Sequence, residues 1–146
     1  MYLLHHTDNA YVTYRYKALR HLDLSEGQFD SKASEFIETF IKKNFYLKVL
    51  EFSYNHRCGN KLAEAVANGL TKNPVLEIIY LDHCSIEDDG MGALIGSITR
   101  LPEIESQLRV LRFHGNLASD NILEMMGTWC SIERIPIILL FHVSIT

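Results

Sequence analysis

The chain has 146 residues, 47% hydrophobic and 22% charged, the composition of one globular domain with a substantial core and not of a disordered segment. Its net charge of −4, with no Lys/Arg cluster along the sequence, argues against non-specific nucleic-acid binding through a basic surface. Three cysteines (Cys58, Cys84 and Cys130) without CxxC spacing argue against a disulfide framework and a structural zinc site, so a reducing, cytoplasmic setting is expected.

The first eighteen residues fit no repeat and read as an N-terminal cap or the end of a preceding unit; MYLLHHTDNA lacks the basic start and apolar stretch of a secretory signal. From Leu19 one template recurs: L-x-x-L-x-L, a small or polar residue three positions on, and an apolar residue two beyond. It reads Leu19, Leu22, Leu24, Gly27, Phe29, and then Leu47, Leu50, Phe52, Asn55, with Arg57 at the last position. The third copy is Leu76, Ile79, Leu81, Cys84, Ile86; the fourth is Leu108, Leu111, Phe113, Asn116, Ala118; the fifth is Ile135, Ile138, Leu140, Val143, Ile145. The repeats start near 19, 47, 76, 108 and 135, so 19–146 is a single repeat domain.

Helical periodicity fills the intervals: Ala33, Phe36, Ile37, Phe40, Ile41; Leu62, Ala65, Val66, Gly69, Leu70; Met91, Leu94, Ile95, Ile98; and Ile122, Leu123, Met126, Trp129, Cys130. Asp30, Asn60 and Glu87-Asp88-Asp89 sit where helix N-termini favour oxygen and negative charge, and Lys42-Lys43-Asn44 and Lys72-Asn73-Pro74 close two helices. Gly92 and Gly96 are expected to allow close helix–sheet packing. The longest apolar run, Ile135-Pro-Ile-Ile-Leu-Leu-Phe (residues 135–141), is too short to cross a bilayer, and no membrane partner is expected. It is apolar on both alternating sets. That fits a fragment of a longer protein, an edge contact or dimer surface, or a strand tolerated as a cap.

A repeat of the form LxxLxLxxN/CxI followed by a helix such as KLAEAVANGLTKNPVL resembles the ribonuclease-inhibitor type of leucine-rich repeat over most of the chain. The third unit is its best copy, with Cys84 and Gly90 where the family has Asn/Cys and Gly, whereas Gly27, Arg57, Val143 and the extra residues 101–107 depart from the pattern. The resemblance implies an α/β leucine-rich-repeat solenoid of about five repeats, a curved horseshoe segment with parallel strands on the concave face and helices on the convex face. It further implies a non-enzymatic protein-interaction scaffold. Regulation of a small GTPase, as by Ran GTPase activators, and a structural segment of a NOD-like receptor or actin-regulating protein are the alternatives.

Residues between the core leucines are expected on the concave face in four rows. Glu51, Tyr54, Tyr80, Asp82, His83, Arg112 and His114 are the candidate partner contacts, because aromatic and Arg groups beside a few charges are what binding hot spots use. The competing reading is that exposed strands simply favour such residues. Asn55 and Asn116 are expected to bond turn backbone along the stack, with Cys84 standing in as a small, buried, unreactive group. His83, His114 and His142 lie on successive strands near Asp82, but solvated histidines explain them better than a metal site. No GxxxxGK[ST], HExxH, GxSxG or EF-hand loop is present, so neither catalysis nor a cofactor or metal is expected.

Overall fold

The leucine spacing condenses into strands of only three residues, each bracketed by apolar side chains. In the computed structural model, which describes residues 19–99, 106–122, 124, 127 and 138–140, the order is β1 (His21–Asp23), α1 (Ala33–Lys43), β2 (Val49–Glu51), α2 (Gly59–Leu70), β3 (Ile78–Tyr80), α3 (Asp88–Ile98), β4 (Val110–Arg112) and β5 (Ile138–Leu140). The strands form one parallel five-stranded sheet whose spatial order is the chain order. A parallel neighbour needs a crossover, and the helices supply it for the first three steps.

Register aligns Leu22, Leu50, Ile79 and Leu111 on neighbouring strands. Leu50, Ile79 and Leu111 are fully buried, and Leu22, on the edge strand, is half-buried. The fifth strand departs from expectation by one position: Leu139, not Ile138, stands opposite Leu111, and Leu140 stands opposite Arg112. A strand apolar on both alternating sets has no burial pattern to distinguish neighbouring registers, so sequence periodicity could not place it.

The helices bury the predicted stripes. Ile37, Phe40 and Ile41 of α1, Leu62, Ala65, Val66, Gly69 and Leu70 of α2, and Met91, Leu94, Ile95 and Ile98 of α3 all lie in the interior. Of the fourth predicted set only Ile122 can be placed, and it is buried; Leu123, Met126, Trp129 and Cys130 lie outside the described residues, as do residues 1–18. The acidic run 87–89 opens α3 as expected, but the other two helix starts differ. Asp30 accepts the Lys32 N–H at 3.0 Å but precedes the helix, and Asn60 lies inside α2. The Asn60 amide instead reaches the next unit, its oxygen accepting the Glu87 N–H at 2.8 Å. Gly92 and Gly96 do not pack closely: an added Cβ at either meets nothing within 4 Å, and both line a shallow groove between α2 and α3. The close approach falls at Gly90, where a Cβ would lie 3.0 Å from that of Ala63 and 2.7 Å from Ile86.

Two amide ladders tie the units together. After each strand, Asn55 donates to Leu24 O (3.0 Å) and Phe52 O (2.8 Å) and accepts the Phe29 N–H (3.2 Å). Asn116 does the same for Leu81 O and Phe113 O, both at 2.8 Å, and accepts from Cys84 and Ile86. Between them the Cys84 thiol donates to Phe52 O at 3.2 Å. Burial pushes the Cys84 and Cys58 thiols up to about 11 and about 12, so both stay protonated donors at neutral pH. The second ladder was not foreseen. Asn73 donates to Ile41 O (2.6 Å) and Asn44 O (2.8 Å), and each of the two Asn side chains accepts the N–H groups two and three residues on. Its sequence signal is the Asn that stands three residues before Leu47 and again before Leu76.

Candidate functional site

One face of the sheet packs on the helices, which leaves the alternate residues of each strand on the open side. Glu51, Tyr80 and Arg112 occupy one row there, as expected, and all three are half-buried. The rows that follow lie beyond the three-residue strands, in turns that continue the ladder of backbone hydrogen bonds. Tyr54 N–H donates to Asp82 O (2.8 Å) and His83 N–H to His114 O (2.9 Å). At this position Glu26, Tyr54, His83 and Gly115 all adopt left-handed φ, between 52° and 67°. That sparsely populated conformation reverses the chain and drops the next residue, Asn55 or Cys84, into the interior.

Six of the seven candidates come together. The Arg112 guanidinium lies over the Tyr80 ring at 4.2 Å, and its Nε sits 2.6 Å from Asp82 Oδ2 as an ion pair without hydrogen-bond alignment. Asp82 Oδ1 also accepts the His114 N–H at 2.9 Å. His83 and His114 meet edge to face at 5.3 Å, which joins the imidazoles to this group. Tyr54 adds a sixth member, stacking on His83 at 4.8 Å with an interplanar angle of 15°. Glu51 stands apart, paired with His21 at 2.6 Å.

The exposure of Asp82 differs from expectation. It is 5% exposed, held between the Ser53 hydroxyl, which accepts its N–H at 3.1 Å, and the side chain and backbone of the next unit. Asp82 therefore orients Arg112 and is not itself a contact surface. Ser53 and His56, whose ring lies 6.3 Å from Tyr54, belong to this neighbourhood and were missed, because neither type at a single position signals a role. Among the described residues no group of three His, Cys, Asp or Glu is placed to hold a metal ion, and His142 lies outside them. Among the same residues no helix is long and apolar enough to cross a membrane.

The His83 ring occupies the space that a side chain at position 115 would fill: a Cβ on Gly115 would lie 2.2 Å from it. Gly115→Ala is expected to displace His83 from Tyr54 and to cost about 1–2 kcal/mol through the left-handed backbone. Loss of the ring-current shift on the His83 protons and a lower urea midpoint would show this; an unchanged imidazole spectrum would contradict the packing.

Residues 72–94 match the family model described as Leucine Rich repeat. No curated protein sequence matches the chain. Among solved structures, the chain is similar to leiomodin-1 actin-binding site 2, with a TM-score of 0.75 and 17% identity over 94% of this chain and 78% of that one. The repeat match and the shared fold together support a leucine-rich-repeat architecture.

Proposed function

We propose that the chain is a non-enzymatic protein-interaction module, a ribonuclease-inhibitor-type solenoid of about five repeats. It binds a protein partner through the concave sheet face around Tyr54, Tyr80, His83, Arg112 and His114. The carrying observation is the pinned arginine, stacked on Tyr80 and paired to buried Asp82. An arginine held by both its face and its Nε loses little side-chain freedom when a partner docks, and preorganisation of this kind concentrates binding energy in few residues. The buried free thiols of Cys58 and Cys84 fit the proposed cytoplasmic setting. The structural likeness to an actin-binding site makes actin the first partner to test.

Co-sedimentation with actin filaments, and capture from lysate with the same chain as bait, should both retain a partner. Tyr80→Ala should weaken that binding about tenfold, as for a hot-spot aromatic, with the melting temperature little changed. Equal binding by wild type, Tyr80→Ala and Tyr54→Ala would remove the sheet face from the mechanism. Arg112→Ala is the poorer probe. It strands the buried Asp82 carboxylate and is expected to lower stability as well as binding.

A further inference from the structure

The opposite edge of the sheet, where helices return to strands, carries a second surface. It is built from residues 19–20, 42–48, 71–77 and 106–109. Stacking brings the second and third of these segments together, with the Asn73 side chain bonded to Asn44 O at 2.8 Å, and sets Lys43 and Lys72 at equivalent positions of successive units. The described residues of this edge hold Arg20, Lys42, Lys43, Lys48, Lys72 and Arg109 and the carboxylate of Glu77, while Arg100, Glu103 and Glu105 of the last return lie outside the described residues. Glu77 is already held between Lys48 at 3.0 Å and Arg109, which keep its carboxyl below the usual range and ionised. Lys42 pairs with Glu38. Lys43 and Lys72 are exposed and have no partner among the described residues. In the same segment as Lys43, Phe45 is 52% and Tyr46 36% exposed. On a chain of net charge −4 with no Lys/Arg cluster along its sequence, the described residues of this edge thus bring basic side chains from separate units to one side, with two exposed aromatics.

We propose that this edge is a docking surface for an acidic protein segment that carries an apolar side chain among its carboxylates. Charge complementarity selects the occupant: the ammonium groups of Lys43 and Lys72, without a partner among the described residues, take the carboxylates, and Phe45 takes the apolar group. The Tyr46 ring is partly covered by Arg20, whose guanidinium lies 5.7 Å from its centre. Among the described residues of this edge Phe45 is then the single apolar side chain left to insert into a bilayer, too little for stable membrane attachment. Two exposed lysines on a net-negative chain likewise make a weak site for a nucleic-acid backbone.

Fluorescence anisotropy of a labelled Glu-Glu-Glu-Leu-Glu-Glu-Glu peptide titrated with the full chain tests this. Saturable binding is expected at about 50 mM NaCl and should weaken about tenfold at about 300 mM, because exposed charges are screened. The double variant Lys43→Glu/Lys72→Glu should abolish it and Phe45→Ser should weaken it about fivefold, while Tyr80→Ala on the sheet face leaves it unchanged. Circular dichroism melts of these surface variants should match wild type, which separates lost binding from lost fold. No saturable binding, or equal binding by the Lys43→Glu/Lys72→Glu variant, overturns the proposal. So does tighter binding to phosphatidylserine vesicles or to oligothymidine than to the peptide.

Discussion

Asn55→Ala is expected to destabilise the protein by about 3–4 kcal/mol, since each buried group left without a partner costs roughly 1–3 kcal/mol. Asn55 is 1% exposed, and its loss orphans Leu24 O and the Phe29 N–H together and leaves Phe52 O with the weak Cys84 thiol as donor. Urea unfolding should show the midpoint falling by about 2 M with little change in m, because the surface exposed on unfolding is the same. Asn55→Cys should recover part of the loss, since Cys84 performs the donor role at the equivalent position of the next unit. It cannot recover all of it, because a thiol accepts hydrogen bonds only weakly and the Phe29 N–H remains unpaired. A cost below about 1 kcal/mol for Asn55→Ala would mean that backbone and water satisfy the turn without the amide.

Ile79→Ala is expected to cost about 3–5 kcal/mol, the range for truncating a fully buried aliphatic side chain whose cavity cannot collapse. Ile79 is flanked in register by Leu50 and Leu111, both also fully buried, so no neighbour has room to move into the gap. Leu22→Ala removes an equivalent methyl-bearing group from the edge strand, where exposure already forfeits part of the burial, and should cost only about 1–2 kcal/mol. Chemical denaturation of both variants measures the contrast. Equal losses would show that burial does not increase from the edge strand inward. Adjacent units share one core, so the Ile79→Ala variant should still unfold in a single transition seen alike by fluorescence and circular dichroism.

Much of the strand and helix placement was legible from the leucine period, because a strand with one apolar face has only one register that buries it. Leu22, Leu50, Ile79 and Leu111 stand in that register. The rule failed at β5 because its condition failed there: Ile138, Leu139 and Leu140 offer no polar alternate to mark the open side, and the pairing falls one residue from the expected place. The start of α3 fell where expected, with Asp88 and Asp89 in its first turn, but the partners of the candidate capping side chains did not. Asn60 and Asp88 are good capping types by local chemistry, yet their side chains reach into the following unit, Asn60 to Glu87 and Asp88 to the Ser119 N–H at 2.7 Å. Local preference names a hydrogen-bonding group without naming its partner.

The candidate site shows the same division. Composition by row picked Tyr54, Tyr80, His83, Arg112 and His114, and the structure gathers them. It was the neighbouring units that buried Asp82, by placing Ser53 on one side and Arg112 and the His114 N–H on the other. The sequence by itself determined which residues face the interior and in what rhythm, since hydrophobic period is a local property of the chain. Tertiary structure alone decided which charges meet. Arg20, Lys43, Lys72 and Arg109 are separated by dozens of residues, and they share one edge only because each strand–helix unit returns the chain to the same side of the sheet.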